Sequence, residues 1–264
     1  MIHALQVTGK VLLRKMPPRA LWYVVANKFS NLLRNGNPKY RFNLLYLENP
    51  DPWNYLCSEY EHCKYDHTLA CILKWRKASK YALEIGCSIG VFSKLLSIHF
   101  DEITAMDFSK EALRAAASYN NSIKNIRFVH GDLRYTKHDR RFDTIICGEI
   151  LGYIPEKHAE KVCQQLETFL ASHGIIVTVL CIKGGDARLW GQILSRQFAL
   201  VHRETVEKGA GSYEIVVFSQ LMTSSSAPRG SARNTWSATR PSASAMPPRY
   251  VIDDRVSRSG RAVK

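Results

Sequence analysis

The sequence has 264 residues, about the length of one large domain or of one domain with extensions, and its hydrophobic content of 45% is enough for a buried core. Its formal net charge of +14 is unevenly placed: residues 1–49 carry +7, residues 221–264 carry +6 and residues 50–220 carry only +1. A nearly neutral central region argues against a nucleic-acid partner, because nucleic-acid binding favours a basic stripe on the folded domain.

Cysteine usage and hydropathy predict a reduced, cytoplasmic protein. The seven cysteines are odd in number and include no Cys-x-x-Cys pair, which is typical of cytosolic thiols rather than of a disulfide-bonded fold. Cys57, His62, Cys63 and His67 lie close together in sequence, but their spacing matches no zinc motif, so no metal is expected. The apolar run at residues 21–26 is too short to span a bilayer, so no transmembrane segment is expected.

The composition along the chain predicts three regions. Residues 1–49 are basic and aromatic, and we interpret them as a surface arm, with a membrane-surface or partner-binding helix as the alternative. Residues 50–220 alternate short apolar runs with helical segments and form the predicted domain. Residues 221–264 are rich in Ser, Ala, Pro and Arg, which predicts a disordered basic tail because such a segment buries too little surface to offset its ordering entropy.

Residues 50–220 are predicted to form an α/β domain with a mostly parallel sheet. Strands are predicted at residues 81–85, 102–107, 125–130, 142–147, 175–181, 198–206 and 213–221. Helices are predicted at about 91–99, after the N-cap Ser109 to about 119, and from Pro155 to about 171, ending before Gly174. Strands that alternate with helices indicate a sheet covered on both faces, and the long final pair indicates one antiparallel strand.

A glycine-rich turn after the first predicted strand carries the most specific signal. The strand ends in an acidic residue, and the turn that follows leads into a helix; the residues are Glu84, Gly86, Cys87, Ser88 and Gly90. Glycine allows a tight turn and a close ligand approach, and the helix points its free amides at the ligand. The spacing is not the G-x-G-x-x-G that binds a pyrophosphate, and Glu84 could hold a ligand's amino group, which favours S-adenosylmethionine.

Two more strand ends supply acidic residues in the same order. Asp107 ends the second strand, where it can accept both ribose hydroxyls, and Phe108 follows it. Asp132 follows the third strand and can accept from the adenine amino group, while Leu133 lines the ring. Each acidic residue could instead be a cap or a turn residue. Their recurrence at the ends of three successive strands favours one nucleoside site.

These motifs resemble those of the class I S-adenosylmethionine-dependent methyltransferase superfamily over roughly residues 50–220. The matching positions are residues 83–90, Asp107, residues 131–132 and residues 142–143. The resemblance implies a Rossmann-like sheet of seven strands with the last strand antiparallel, and S-adenosylmethionine as the bound methyl donor.

The chain also resembles a narrower group, the nodulation protein S family, through residues 51–53, 60–64 and 82–87. Members of that family N-methylate the free amine of a deacetylated chitooligosaccharide. The resemblance implies that Lys64 lies near the donor's carboxylate and that the segment around Trp53 helps to close the pocket. Lys64 replaces the family's Arg, so a bidentate contact is lost.

Methyl transfer requires little chemistry from the protein. The sulfonium activates the methyl group, so the chain mainly aligns the acceptor, although an amine must first lose a proton. Glu149 and Tyr153 follow the fourth strand and are the candidate catalytic residues, with a helix cap and an aromatic lid as alternatives. Arg188 and Trp190 precede the sixth strand and are candidates for binding the acceptor, with ordinary packing as the alternative.

Two other classes of function are alternatives. A nicotinamide-dependent oxidoreductase has a similar fold, but the missing third glycine argues against it. A non-enzymatic protein could bind nucleic acid or a membrane through the basic ends, but the intact donor motifs argue against that. Residues 148–151 lack the Asn-Pro-Pro-aromatic signature for planar amino groups, which leaves the saturated amines and hydroxyls of small molecules, such as an amino sugar or oligosaccharide, as acceptors.

Overall fold

The computed structural model describes residues 38–182, 186–208 and 211–221. Its helices are α1 (Pro38–Glu48), α2 (Glu59–Trp75), α3 (Val91–Leu96), α4 (Lys110–Tyr119), α5 (Ala159–Phe169) and α6 (Asp186–Gln197). Its strands are β1 (Tyr81–Ile85), β2 (Glu102–Asp107), β3 (Ile126–His130), β4 (Phe142–Gly148), β5 (Leu170–Cys181), β6 (Phe198–Lys208) and β7 (Gly211–Gln220). Two 3₁₀ turns, Leu151–Tyr153 and Glu156–His158, lie between β4 and α5.

The seven strands form one sheet in the order β3-β2-β1-β4-β5-β7-β6. Strand β7 runs antiparallel to β5 and β6, and the pairings among β1 to β5 are parallel. This confirms the predicted Rossmann-like, mostly parallel sheet with an antiparallel last strand. The carboxyl ends of β1 to β5 therefore meet at one edge, which is where ligands bind in open α/β sheets.

Both faces of the sheet are covered because the central strands are apolar on both sides. On one face, residues such as Leu83 and Ile145 pack with α5 and α6. On the other face, Ala82, Ile103 and Ile146 pack with α2 and α3. Successive residues of β1 thus enter opposite cores, as the two-residue period of a strand requires.

Helices α2 and α6 are not among the predicted elements, and the predicted bounds differ from the structure between β4 and β5. The helix predicted from Pro155 to residue 171 begins at Ala159 and ends at Phe169, and β5 begins at Leu170, not at residue 175. Gly174 does not end the helix but lies within β5. A Cβ atom there would lie 2.9 Å from the Phe142 carbonyl oxygen, so this glycine lets β5 approach β4 closely. The helix after Gly90 also ends earlier than predicted, at Leu96.

Helix α1 lies inside the region that the sequence analysis treats as an arm, yet it is part of the folded domain. Phe42 and Tyr46, one helical turn apart, are only 8% and 7% exposed. Helix α1 (Pro38–Glu48) therefore packs on the domain although it precedes residue 50, the predicted start of the domain. The predicted arm up to residue 37 and the predicted tail from residue 222 lie outside the described residues.

The structure also bears on the cysteines and on membrane insertion. All seven cysteines are free thiols. None of the described helices combines the length and the apolar character that crossing a membrane would need. Within the described part of the chain, no group of three or more His, Cys, Asp or Glu side chains is placed to hold a metal ion.

Candidate functional site

The turn between β1 and α3 takes its shape from glycine. Gly86 has a φ of +79°, and its N–H donates to the Met106 carbonyl of β2 at 2.7 Å. A Cβ atom at Gly86 would overlap with the Ile150 side chain, so no larger residue fits there. Gly90 has a φ of +75° and precedes α3. The turn therefore places backbone from residues 86–90 at the carboxyl edge of the sheet.

Asp107 at the tip of β2 is tied to this turn. Its Oδ2 accepts from the Ser88 N–H at 3.0 Å, and its Oδ1 accepts from the Ser109 N–H at 2.8 Å. Burial raises the pKa of Asp107, and the backbone donors oppose that effect. Each carboxylate oxygen has a second lone pair, so Asp107 retains the capacity to accept from two ligand hydroxyls. The structure brings together Ser88 and Asp107, as the sequence predicts for one site.

Glu84 is the second buried carboxyl beneath the turn. It is 5% exposed and accepts a hydrogen bond from the Ser93 hydroxyl of α3. Burial raises the pKa of Glu84, the Ser93 hydrogen bond lowers it and the charge of Asp107 raises it, with a net value of about 8. Such a carboxyl holds its proton at neutral pH until a cation approaches, which suits the amino group of an amino acid.

Asp132 and Leu133 reach the same edge but are already engaged. Gly131 donates its N–H to the Asp107 carbonyl at 2.9 Å, which places this loop beside β2. Both oxygens of Asp132 accept from the Arg134 guanidinium, at 2.9 and 2.8 Å. Leu133 is 3% exposed and packs in the core. If Asp132 bound adenine, its carboxylate would therefore accept hydrogen bonds from both the adenine and Arg134.

Helix α1 adds an aromatic cover that the sequence analysis does not assign to the site. The Phe42 ring lies 5.8 Å from Trp53, 5.3 Å from Phe108 and 5.1 Å from Tyr153, measured between ring centroids. The Tyr46 hydroxyl hydrogen-bonds the Ser88 hydroxyl at 2.5 Å. Aromatic residues four apart in sequence are the signal that points to this face. Helix α1 thereby joins predicted residues from four separate segments of the chain.

Lys64 of α2 pairs with two carboxylates near the tip of β4. Its ammonium pairs with Glu149 and lies 2.9 Å from Glu61 Oε2. Burial lowers the pKa of Lys64, but Glu149 and Glu61 together raise it above its usual value. Two residues that the sequence assigns to different partners, Lys64 to the donor and Glu149 to the acceptor, therefore touch. Glu61 also belongs to this group, although the sequence analysis assigns no role to it.

Glu149 owes its position to the end of β4. Its φ is +52°, and its N–H donates to the Val179 carbonyl of β5 at 2.9 Å. This backbone contact holds the residue at the carboxyl edge, where its side chain reaches Lys64 of α2. Tyr153, the other candidate catalytic residue, is 51% exposed and contacts Phe42. Its position fits the aromatic-lid alternative as well as a catalytic role.

The two candidate acceptor-binding residues on α6 are placed differently. Trp190 is 1% exposed and packs in the core, so its position fits ordinary packing and not contact with an acceptor. Arg188 is exposed and lines an open cleft of about 580 Å³ between α6 and the last two strands, with Arg203 and Glu214 on the opposite wall. Glu149 is not among the residues that line this cleft.

The geometry fits S-adenosylmethionine. Two buried carboxyls, Glu84 and Asp107, flank a glycine turn in which Gly86 is partly exposed. An ammonium, Lys64, and a set of aromatic rings border the same edge. Together they supply partners for an amino group, ribose hydroxyls, a carboxylate and an aromatic base.

Comparisons with known proteins agree with this geometry. The sequence model of the family Nodulation protein S (NodS) matches residues 42–200, which is more than half of the chain. Nodulation protein S of Azorhizobium caulinodans is 30% identical over 156 residues, covering 58% of this chain and 73% of that protein. Ubiquinone biosynthesis O-methyltransferase of Coxiella burnetii is 29% identical over 132 residues, covering 49% of this chain and 50% of that protein.

Solved structures share the fold. The N-methyltransferase NodS from Bradyrhizobium japonicum WM9, in complex with S-adenosyl-L-homocysteine, superposes with a TM-score of 0.62 at 22% identity, covering 70% of this chain and 99% of that chain. Magnesium protoporphyrin IX methyltransferase from Synechocystis PCC 6803 with bound SAM superposes with a TM-score of 0.58 at 13% identity, covering 70% and 98%. The fold of this chain is that of the class I methyltransferases.

Proposed function

Because the chain belongs to the nodulation protein S family of class I S-adenosylmethionine-dependent methyltransferases, we propose that it methylates the free amine of an amino sugar or a deacetylated oligosaccharide. The observation that carries the donor site is the bond between the turn and the second strand, from Ser88 N–H to Asp107. It joins two predicted donor-binding segments into one pocket wall. The choice of nitrogen as acceptor rests on the Glu149 carboxylate at the edge of the sheet.

The donor would be held by the strand tips. Glu84 would bind its amino group, Asp107 the ribose hydroxyls and Lys64 the carboxylate. Asp132 and Leu133 would face the adenine. The remaining assigned residues would shape or close the pocket; they are Gly86, Cys87, Ser88, Gly90, Phe108 and Trp53. When bound, the donor supplies an electrophilic methyl group on a positively charged sulfur.

The acceptor would lie between the donor and the tip of β4. Glu149 would bind the acceptor's amino group, and Tyr153 would cover the sugar from the solvent side. Aromatic rings beside the acceptor would exclude water from it, which would strengthen the electrostatic contacts there. The free thiols are in keeping with action in the reducing cytoplasm, which we include in the proposal.

The test is to identify the methylated atom. The protein is incubated with isotopically labelled S-adenosylmethionine and the glucosamine disaccharide, and its N-acetylated form serves as a control without a free amine. We expect the label on nitrogen of the free amine and none on the acetylated sugar. Label on a hydroxyl, or equal labelling of both sugars, would contradict an amine acceptor and favour O-methylation.

A further inference from the structure

Three charged side chains meet where α2 faces the end of β4. Lys64 lies between Glu61 on its own helix and Glu149 after β4, and the three side chains are 5%, 13% and 33% exposed. With all three ionised, the group carries one uncompensated negative charge. A partly desolvated group of this kind attracts a second cation.

The two carboxylates are not equivalent. The Lys64 ammonium donates a hydrogen bond to Glu149. Glu61 Oε2 is buried and forms an ion pair with the same ammonium at 2.9 Å, but the two atoms do not meet the geometry of a hydrogen bond. A buried acceptor without its hydrogen bond is costly, so a ligand N–H that reached Glu61 would bind favourably.

Aromatic rings border these groups. Lys64 Nζ lies 5.2 Å from the centre of the Tyr60 ring, and the Tyr60 and Tyr213 rings meet edge to face at 6.1 Å. Aromatic faces beside carboxylates favour organic cations over water. The excess negative charge, the Glu61 oxygen without a well-formed hydrogen bond and the aromatic walls together point to an ammonium ligand.

We infer that Glu61 is a further catalytic residue, which binds the acceptor's ammonium together with Glu149 and removes its proton. This inference rests on the proposed amine acceptor. The ammonium gives one proton to a Glu61 carboxylate oxygen and becomes a neutral amine. The nitrogen lone pair then forms the bond to the methyl carbon as the carbon–sulfur bond breaks, and its electron pair stays on sulfur. The product is a methylated ammonium.

The environment of Glu61 suits this role. Burial raises the pKa of Glu61, and the charge of Lys64 lowers it, with a net rise. The other charges that act on it are those of Glu149, which raises its pKa, and His62, which lowers it. A carboxylate with a raised pKa is a stronger base and is better matched to an amine.

A comparison of the affinities for a charged and a neutral ligand shows whether Glu61 recognises the charge of the amine or only supports the structure of the site. Titration calorimetry is done with S-adenosyl-L-homocysteine present, using the glucosamine disaccharide and its N-acetylated form. We expect Glu61→Gln to weaken binding of the amine about ten- to a hundredfold, as loss of one charge-assisted hydrogen bond does, and to leave the neutral sugar unchanged. Glu59→Gln, at an exposed position of the same helix, should change neither.

Turnover supplies the second measurement. Glu61→Gln should lower kcat with the amine about a hundredfold, and Glu61→Asp, which keeps the carboxylate, should recover part of that loss. If Glu61→Gln kept the wild-type affinity and kcat, or lost affinity equally for both sugars, the role of Glu61 would be overturned. The proposed function would still stand as long as the wild type methylated the amine. A wild type that neither binds nor methylates the amine would overturn both.

Discussion

At the scale of single residues, Glu84 makes stability depend on pH. Its pKa is about 8 in the folded protein because of burial, against an ordinary value of 4.5. Between these values the folded protein holds a proton that the unfolded chain has lost. The stability that protonated Glu84 gives the folded state is therefore fully present below about pH 4.5 and declines as the pH rises toward 8.

Replacing Glu84 should flatten this dependence. In thermal melts followed by circular dichroism, we expect the Tm of the wild type to fall between about pH 5 and pH 8. The Tm of Glu84→Gln should fall less over the same range, because the glutamine side chain does not titrate. Glu160→Gln, at an exposed position of α5, is the matched control and should keep the wild-type slope. Equal slopes in wild type and Glu84→Gln would show that Glu84 is ionised throughout this range.

Residues at strand tips could be predicted from the sequence itself, whereas on the covering helix α2 only Lys64 was assigned a role, and that through the family resemblance. Glu84 and Asp107 end apolar runs, so their place at the edge of the sheet follows from the topology. Glu59 and Glu61 are two carboxylates in one helical turn, and only packing against the sheet makes one exposed and the other partly buried. No local pattern separates them.

At the scale of elements, helix α1 is expected to stabilise the domain. Phe42 is 8% exposed, so Phe42→Ala should lower the free energy of unfolding by about 3 kcal/mol and the Tm by several degrees. Leu47 on the same helix is 62% exposed, and Leu47→Ala should change the free energy by less than about 0.5 kcal/mol. Denaturant titrations of both variants measure the difference. Similar small effects would mean that α1 does not pack on the domain in solution.

The elements that were predicted well are those bounded by strong local signals. Strand β2 has the predicted bounds because Asp107 and the N-cap Ser109 mark where it ends and α4 begins. The boundary between α5 and β5 was misplaced because Leu170 suits a helix as well as a strand. Pairing of Leu170 with Phe142 of β4 decides between them, and that contact is not local in sequence.

At the scale of the whole molecule, strand order determines where the site forms. The chain proceeds outward from β1 to β2 and β3, then crosses back to place β4 on the other side of β1. This reversal opens a crevice between β1 and β4. Glu84 lies on one side of it and Glu149 follows the strand on the other. Under the proposed function, the donor and the acceptor would therefore approach each other from neighbouring strands.

The most direct measurement of the central claim is binding of S-adenosylmethionine by isothermal titration calorimetry. We predict that the wild type binds it, that Asp107→Ala weakens binding about tenfold or more, and that Gly86→Trp abolishes it because the side chain fills the turn. Asp139→Ala, at an exposed position, should bind as the wild type does. Undiminished binding in both Asp107→Ala and Gly86→Trp would contradict the site described for this chain.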